Sequence, residues 1–487
     1  MEKELPKGWV NIILEDLYFH VTGGDWGLDP QTENAAGFSK AMCIRGGELR
    51  NWRVDKGKTA SIRLIKDTSI NTRKLKIGDI LLEISGGGPD QPVGRTVIID
   101  EEVFKNYPEL PKICTNFLRL LRLVDNVNKE YVNQYLQYFY TSGEVVKYQG
   151  GSNNLRNLKF GDYSSIKIPL PSLPEQQRIV AKLDTLFGHL DALKTRLERI
   201  PQLLKEFRQK VLTQAVTGKL TEDYNNIENW DLVSIDRLVG SIRTDIRTGP
   251  FGSSLNKSEH QLDGIPVWGI ESISKKGEFT GQNKIFITQA KAKELKSFEV
   301  LGGDIIISRS GTVGELCLLP NDISFGIIST NLMKISLNKK VINPTFFCYQ
   351  FKGSQELLYK LQELCSGSTR LFLTQSILNK LVFVLPPIEE QQEIVRRVES
   401  LFAKADQIEA GYQKLKAKID QLPQALLAKA FRGELVPQLP TDGDARELLE
   451  QIKRAKEGLE KGGKGKKMKV EDELRMVAED GARYGKK

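Results

Sequence analysis

The sequence is poor in the residues that build metal sites and disulfide frameworks. Only three histidines and five cysteines occur among 487 residues, and the cysteines are scattered without CxxC spacing. This pattern argues against a zinc site and indicates reduced thiols in a cytoplasmic protein. No run of 18 apolar residues is present, and the N-terminus lacks the apolar core of a signal peptide. We therefore expect neither a membrane span nor secretion.

Recognisable catalytic motifs are also missing. The nearest match to a methyltransferase Asn/Asp-Pro-Pro-aromatic string, at residues 343–346 (NPTF), lacks the second proline and is better explained as a turn before a helix. A Walker A phosphate loop fails at Gly57-Lys58-Thr59, because Trp52 stands where the first glycine belongs. The sequence favours a binding subunit over an enzyme, and no catalytic or metal-binding residue is predicted.

Positive charge is in excess, with 71 Lys and Arg against 62 Asp and Glu, which gives a formal net charge of +9. Such an excess favours a polyanionic partner, a class that includes double-stranded DNA. A basic protein without any role in nucleic-acid binding remains an open alternative from charge alone.

The most informative feature that is present is an internal repeat. Residues 175–220 and 390–435 align without a gap at an offset of 215, and 13 of the 46 aligned positions are identical. The first copy opens EQQRIV and the second opens EQQEIV. Two copies of one segment, each following a larger and more divergent segment, indicate a pseudo-symmetric protein with two working ends.

Both copies have the apolar pattern of a coiled coil. Their apolar residues recur at alternating steps of three and four, whereas a helix in an ordinary core, which is the alternative, has a wider and less regular apolar face. About 44 residues at about 1.5 Å each give a rod of roughly 65 Å. The predicted seam residues are Leu183, Leu186, Leu190, Leu193, Leu197, Val398, Leu401, Ile408, Leu415 and Ile419.

Glycine and proline mark the limits and weak points of these helices. Gly218 and Gly433 fall where a left-handed C-terminal cap is expected. Pro201 and Pro423 lie inside the apolar pattern, and each removes a backbone hydrogen bond. We therefore expect a kink or a break near each of these two prolines.

The direction of helix pairing follows from the connection. The roughly 165 residues between the copies should fold to a globule with a radius of gyration near ~15 Å, which cannot carry the chain back along the rod. The second helix should then run antiparallel to the first, with the heads at opposite ends of a dumbbell. The predicted fold is mixed α/β, with two globular α/β domains joined by two long antiparallel coiled-coil helices in a pseudo-two-fold internal repeat.

Five domains are predicted along the chain. They are residues 1–172 (head one), 173–221 (the first helical segment), 222–387 (head two), 388–437 (the second helical segment) and 438–487 (a charged, partly disordered C-terminal tail).

The two heads share landmarks while most of their sequence differs. Both begin with a tryptophan stretch, place a Gly-Asp turn before an apolar strand, and close with a polar loop before the last strand. This combination suits two readers of different DNA targets, although the same loop residues suit ordinary turns. The candidate DNA-binding residues are Arg45, Arg50, Arg53, Ser152, Asn153, Asn154, Arg156, Arg243, Arg247, Ser253, Ser254, Lys257, Arg309, Ser310, Thr312, Ser368, Thr369 and Arg370.

With these features in place, the chain resembles the specificity subunits of type I restriction–modification systems. The resemblance is carried by the boundary strings at 168–177 (IPLPSLPEQQ) and 385–392 (LPPIEEQQ) and by the helix ends at 215–220 (AVTGKL) and 430–435 (AFRGEL). The strings at 248–255 (TGPFGSSL) and 264–267 (GIPV) add to it, whereas head one has only Thr22-Gly23-Gly24. The tail lies outside the resemblance.

The resemblance implies two target-recognition domains that each read half of a split DNA sequence, with the helices fixing the gap. It also implies docking of two modification (methyltransferase) subunits that use S-adenosylmethionine, and optionally of two restriction subunits that use ATP and Mg. This chain itself would hold no cofactor. The alternatives left open are a non-catalytic protein-interaction scaffold built on a coiled coil and a degenerate nuclease or methyltransferase.

Overall fold

The computed structural model describes residues 5–33, 35–88, 91–151, 156–223, 230–251, 254–323, 325–365 and 372–462, with backbone alone for 460–462. The chain divides into two compact units. Unit one is Met1–Lys194 with Lys416–Lys487, and unit two is Thr195–Leu415. Each unit therefore combines one head with part of both helical segments.

The elements of head one alternate short strands with short helices. In chain order they are β1 (Val10–Ile13), α1 (Leu14–Leu17), β2 (Tyr18–Gly23), β3 (Phe38–Ile44), α2 (Trp52–Asp55), β4 (Ser61–Lys66), α3 (Asp67–Arg73), β5 (Ile80–Glu83), β6 (Ser85–Gly87), β7 (Thr96–Ile98), α4 (Glu101–Lys105), β8 (Lys112–Cys114), β9 (Leu118–Leu123), α5 (Lys129–Thr141), β10 (Gln149–Gly150), β11 (Arg156–Leu158), α6 (Phe160–Ser164) and β12 (Lys167–Leu170).

Alternate residues of β5 explain how head one is layered. Ile80 and Leu82 pack into a core with Tyr131 of α5, whereas Leu81 between them packs into a separate core with Met42 of β3. Side chains alternate in direction along a strand. The four-stranded sheet β2-β9-β5-β7 is therefore covered by α5 on one face and by the sheet β4-β3-β8 on the other. Two smaller sheets, β1-β12 and β10-β11-β6, complete the head.

The first helical segment forms α7 (Leu173–Leu197) and α8 (Ile200–Val216). Head two follows, and its elements in chain order are β13 (Asp231–Val233), α9 (Ile242–Asp245), β14 (Ile246–Thr248), β15 (Ile265–Trp268), β16 (Ile285–Ile287), α10 (Gln289–Glu294), β17 (Glu299–Val300), β18 (Ile305–Ser308), β19 (Leu316–Leu318), β20 (Gly326–Ile328), β21 (Leu332–Ile335), α11 (Pro344–Gly353), α12 (Gln355–Cys365), α13 (Gln375–Leu378) and β22 (Phe383–Leu385). The last two helices are α14 (Ile388–Ala430) and α15 (Ala445–Gly462).

Head two repeats the layering of head one. Ile305 and Ile307 of β18 pack with Phe346 of α11, and Ile306 packs with Ile328 of β20. The sheets are β14-β21-β18-β19, β16-β15-β20-β17 and β13-β22. In each head the second sheet contains one parallel pair, β3 with β8 and β15 with β20. The internal repeat predicted from the sequence is confirmed.

In unit one the two helical segments run antiparallel. The amino group of Lys194, near the end of α7, lies 3.5 Å from the carboxylate of Asp420 in α14. Arg178, near the start of α7, instead binds Asp442, which follows the end of α14. Residues early in one segment contact residues late in the other, and residues late in the first contact earlier residues of the second. The two segments therefore run antiparallel.

The same relationship holds in unit two. Arg208, in the middle of α8, binds Asp406 of α14 at 2.6 Å. Arg397, near the start of α14, binds Asp223, which follows the end of α8. The predicted antiparallel pairing of the helical segments is therefore confirmed within each unit.

Only part of the predicted seam is buried. Leu183, Leu190, Val398 and Ile419 are buried, and Leu186, Leu197 and Leu401 are half-buried. The prediction is wrong for Leu193, Ile408 and Leu415, which are exposed. The buried positions of the helices recur every seven residues, as in Val398, Ala405, Tyr412 and Ile419. Each heptad has two rows of apolar residues. One row therefore faces the other helix, and the second row lies beside the contact between the helices.

The two internal prolines behave differently. The first helical segment is interrupted between Leu197 and Ile200, so the break expected near Pro201 is confirmed. The second segment continues as one 43-residue helix through Pro423, so no break occurs there. Gly218 and Gly433 both adopt the left-handed conformation, with φ of 75° and 70°, as predicted for the helix ends.

The tail contains a packed helix. Leu448 and Ile452 of α15 are buried in the core of head one, and the backbone nitrogen of Ala445 donates to the carbonyl oxygen of Gly8 at 3.2 Å. The tail predicted to be partly disordered thus includes an ordered helix, because the apolar residues of α15 four apart form one buried stripe. The tail after Gly462 lies outside the described residues.

Other expectations concern isolated residues. All five cysteines are free thiols, as predicted, and all five are buried. Asn343 caps α11, its side-chain oxygen accepting from the backbone nitrogen of Thr345 at 2.9 Å, so the NPTF string is a turn before a helix. Among the described helices, none combines the length and the hydropathy that a membrane crossing requires.

Candidate nucleic-acid interface

A buried hydrogen-bond network ties head one to the start of α7. The indole nitrogen of Trp9 donates to Oε2 of Glu175 at 3.1 Å. The backbone nitrogen of Asn128 donates to Oε1 of Gln176 at 3.0 Å, and Nε2 of Gln176 donates to the carbonyl oxygen of Pro171 at 2.9 Å. Burial raises the pKa of the Glu175 carboxyl, although the bond from Trp9 opposes this effect.

Head two uses the same network. Trp230 donates to Oε2 of Glu390 at 3.2 Å, and Thr221 donates to Oε1 of the same carboxylate at 2.8 Å. Gln391 accepts from the backbone nitrogen of Asn343 at 2.7 Å. The Glu-Gln pair in each boundary string therefore fixes a head on its helix, which holds the loops of that head in a constant orientation to the helix.

A glycine turn follows the first strand of each large sheet. The backbone nitrogens of Gly24 and Gly249 donate to the carbonyl oxygens of Leu118 and Leu332, which occupy equivalent positions in β9 and β21. A Cβ atom at Gly249 would lie 1.9 Å from the carbonyl oxygen of Ser329, so no larger residue fits without a shift. The turn that the sequence shows clearly in head two is therefore formed in head one by Gly23 and Gly24.

An aromatic ring stacked with an arginine follows each glycine turn. In head one the guanidinium carbon of Arg63 lies 4.3 Å from the ring centroid of Trp26. In head two the guanidinium carbon of Arg309 lies 5.6 Å from the ring of Phe251 and 4.2 Å from the ring of Phe372. Arginine over an aromatic face is a favourable arrangement, and both groups are used in proteins to stack on nucleic-acid bases.

Two arginine candidates of head one are engaged within the protein. Arg45 forms a salt bridge at 2.5 Å with the buried carboxylate of Glu48. Arg53 binds Asp191 of α7 at 3.2 Å and lies over the ring of Phe187. Arg45 is held by a residue three positions along the chain and Arg53 by a residue far along it, so both have partners within the protein.

The other described candidates of head one are Arg50 and Arg156. Arg50 donates to the side-chain oxygen of Gln91 at 3.4 Å at the surface. Arg156 is exposed on β11, which pairs with β6. These two positions stay available as candidates for contacts to DNA.

In head two the described candidates fall into two groups. Arg243, Arg247 and Lys257 are exposed, and Ser254 is half-buried. Ser310, Thr312 and Arg309 lie together after β18, where Ser310 donates to Oδ1 of Asn331 at 2.7 Å and Thr312 bonds the Ser308 hydroxyl at 3.4 Å. Arg309 is buried, which the sequence did not predict.

Seven candidates lie outside the described residues. They are Ser152, Asn153, Asn154, Ser253, Ser368, Thr369 and Arg370. Sequence reasoning also missed residues that the fold brings to these loops, namely Trp26, Arg63 and Asn331. Asn331 carried a signal, since it belongs to a Thr-Asn step that recurs in both heads. In the part of the chain that the structure describes, no group of three or more His, Cys, Asp or Glu side chains is arranged to hold a metal ion.

Comparison with known proteins connects this architecture to one family. A family model described as "Type I restriction modification DNA specificity domain" matches residues 34–202 and again 249–417. The type I restriction enzyme EcoKI specificity subunit of Escherichia coli (strain K12) is 30% identical over 483 residues, covering 95% of this chain and 99% of that protein. The StySPI specificity subunit of Salmonella potsdam is 28% identical over 469 residues, covering 92% and 96%.

Solved structures show the same fold at lower sequence identity. The HsdS subunit from Thermoanaerobacter tengcongensis matches with a TM-score of 0.60 at 18% identity, covering 89% of this chain and 99% of that one. A chain from a study of assembly and conformational transition of the type I R-M system matches with a TM-score of 0.61 at 18% identity, covering 89% and 100%. With both copies of the repeat matched by the family model, the chain belongs to the type I restriction–modification DNA specificity subunits.

Proposed function

We propose that this chain is the non-catalytic DNA-recognition subunit of a type I restriction–modification complex, binding a split target with one half-site per head. The observation that carries the proposal is that two heads of equivalent sheet order present different side chains at equivalent positions. Ile84 and Arg309 illustrate this. The backbone nitrogen of Ile84 donates to the carbonyl oxygen of Phe117 at 2.9 Å, and its carbonyl oxygen accepts from the backbone nitrogen of Leu158 at 2.8 Å. Arg309 makes the same two bonds, to Asn331 at 2.9 Å and from Leu373 at 2.8 Å.

A common scaffold with divergent loops is what reading two unrelated half-sites requires. Contacts to phosphates position a protein on the duplex, while contacts to base edges select the sequence. The glycine turns and the Trp-Glu-Gln anchors would hold each scaffold, and the exposed Arg243, Arg247 and Lys257 would supply phosphate contacts in head two. The helical segments would set the gap, because the groove phase of DNA repeats about every 10 base pairs.

Assembly with catalytic subunits is the second part of the proposal. Unit two leaves apolar side chains exposed on its helices, namely Leu203, Phe207, Ile408 and Leu415. Apolar residues that recur along a helix without covering favour a protein partner. We assign this row to the docking of modification subunits, two per chain by the symmetry of the repeat, with restriction subunits joining the complex.

The catalytic cofactors belong to those partners in this proposal. S-adenosylmethionine would be used by the methyltransferase subunits, and ATP with Mg by the restriction subunits. When the purified chain alone is incubated with DNA and labelled S-adenosylmethionine, no methyl group should be transferred to the DNA. Methyl transfer should appear when the methyltransferase subunit is added. Transfer by the chain alone would overturn its non-catalytic assignment.

Selection from a random duplex pool tests the recognition function. The full-length chain should enrich two short motifs separated by a gap of constant length, and its affinity should fall steeply as salt rises, because phosphate contacts release counterions. A single contiguous motif would contradict one half-site per head. Binding that does not weaken with salt, or no enrichment in the presence of the partner subunits, would favour the protein-interaction scaffold.

A further inference from the structure

Arg309 of head two is held by its backbone in a constant position. It directly follows β18, and its backbone nitrogen and carbonyl oxygen are both used, the first by Asn331 at 2.9 Å and the second by Leu373 at 2.8 Å. The next residue, Ser310, donates from its hydroxyl to the Asn331 side chain at 2.7 Å. Hydrogen bonds on both sides of the backbone of Arg309 therefore fix the point from which its side chain extends.

The guanidinium itself lies between aromatic rings. Its central carbon is 4.2 Å from the ring centroid of Phe372 and 5.6 Å from that of Phe251. Arg309 is only 3% exposed, whereas Phe251 is 63% exposed. Phe251 is thus the accessible ring beside a buried cation, so a ligand would approach the guanidinium from the side of Phe251.

Two in-plane donors of this guanidinium are not used. Among the described residues, neither Nε nor Nη1 of Arg309 has a hydrogen-bond partner. Burial alone lowers the pKa of Arg309, without an opposing contribution from a neighbouring carboxylate. Buried arginines are normally paired, since an unpaired buried charge is costly. Stacking on Phe372 compensates the faces of the guanidinium but leaves its in-plane donors unsatisfied.

We propose that Arg309 reads a guanine base in the half-site bound by head two. The proposal rests on the DNA-recognition function proposed above and names one of its specificity-determining residues. A planar guanidinium with free in-plane donors matches the O6 and N7 acceptors of guanine, which accept two parallel hydrogen bonds in the major groove. Head one has Ile84 at the equivalent backbone position, so it makes no such contact there and reads a different base.

A guanine contact is favoured over a phosphate contact by the setting of the side chain. An arginine that only binds a phosphate can lie on the surface with a flexible side chain. Arg309 instead has a fixed backbone and a side chain stacked on an aromatic ring. Because the side chain is already ordered, little conformational entropy is lost when a ligand binds, and only one orientation of the ligand fits. A phosphate contact would also not distinguish one sequence from another.

The first test compares the base preferences of the full-length protein and of Arg309→Lys in selections from a random duplex pool. Lysine keeps the charge but cannot form the two parallel hydrogen bonds. The half-site of head one should stay unchanged, and preference at one G·C pair of the other half-site should fall by roughly 5- to 150-fold. Arg237→Lys, at an exposed position of head two that is not a candidate for DNA contact, is the matched control and should leave every base preference intact.

The outcomes separate the alternatives. Unchanged preferences in Arg309→Lys would overturn the proposal. An equal loss of affinity for all sequences, with a smaller dependence on salt, would identify a phosphate contact and would also overturn it. If the wild-type protein itself enriches no split motif, the proposed function has failed, and this is seen before any variant is compared.

A second variant tests whether Arg309 is instead a structural residue. Arg309→Met has similar length without the charge, so it should raise the thermal midpoint of the free protein by roughly 2–4 °C while losing the preference for guanine. A lower midpoint in Arg309→Met, together with unchanged base preference, would show that the guanidinium stabilises the fold and does not read DNA.

Discussion

The indole nitrogen of Trp9 donates a 3.1 Å hydrogen bond to the buried carboxylate of Glu175, and Trp230 makes the equivalent 3.2 Å bond to Glu390. In each unit this bond joins the first residues of a head to the first turn of the helix that follows it. Chain positions about 160 residues apart are therefore connected directly. The boundary strings that mark this family in the sequence are thus the places where heads are fixed to helices.

Removing the indole donor should destabilise unit one. Trp9→Phe keeps most of the apolar ring but leaves Oε2 of Glu175 without its donor, which should lower the free energy of unfolding by about 1–3 kcal/mol. Trp26→Phe is the control, because Trp26 is partly exposed and its replacement should change stability by less than about 0.5 kcal/mol. Urea denaturation followed by circular dichroism measures both. Equal effects of the two variants would contradict a structural role for the Trp9 bond.

The Glu175 carboxyl should make stability depend on pH. Burial raises its pKa in the folded state above the usual value of 4.5 for a glutamate. The folded protein therefore favours the protonated form, so this contribution is complete below pH 4.5 and is lost as pH rises through the folded pKa. Glu175→Gln removes the titration and should flatten this part of the stability profile. Denaturation midpoints across this pH range for both proteins give the measurement, and parallel profiles would show that Glu175 is not the group responsible.

The C-terminal helix should be needed for the stability of head one. Truncation after Pro437 removes the packing of Leu448 and Ile452 and the bond between Asp442 and Arg178. Loss of the two buried side chains alone should cost about 3–6 kcal/mol. Truncation after Gly462 keeps all of these contacts and is the matched control. Thermal unfolding and limited proteolysis should distinguish the two truncations, and equal resistance would mean that α15 adds nothing to the core.

Periodicity predicted the parts of the fold that depend on local sequence. The three-and-four spacing located both long helices, and the length of chain between them required the antiparallel direction that the ion pair of Lys194 with Asp420 confirms. The amphipathic pattern of α15 was present too, but the charged composition of the tail concealed it. An apolar pair four residues apart, as in Leu448 and Ile452, is the signal that would have predicted it.

Long-range packing decided what spacing could not. Nothing in the sequence distinguishes Arg53 from other arginines, but Asp191 of α7, far along the chain, binds it in the fold. Arg309 carried no sign in the sequence that it would be buried between aromatic rings. Partners of a side chain often come from segments far along the chain, so loop composition alone does not reveal which candidates already have partners within the protein.

Two leucines three residues apart on α7 separate pairing of the helices from docking of a partner. Leu190 is 7% exposed, whereas Leu193 is 44% exposed. Leu190→Asp would bury a carboxylate without a partner and should lower the free energy of unfolding of unit one by roughly 3–5 kcal/mol.

Leu193→Asp places the same charge where solvent reaches it, so the free energy of unfolding of the free protein should fall by less than about 1 kcal/mol. Leu193 is the counterpart of Ile408 at the 215-residue offset of the repeat. The exposed variant should therefore weaken association with the methyltransferase subunit, since a charge then lies at the unit-one equivalent of the apolar row proposed to receive it. Urea denaturation of the free chain and calorimetric titration with the partner measure the two effects. If Leu193→Asp unfolds the protein as readily as Leu190→Asp, both apolar rows of the heptad pair the helices and the exposed row is not a docking surface.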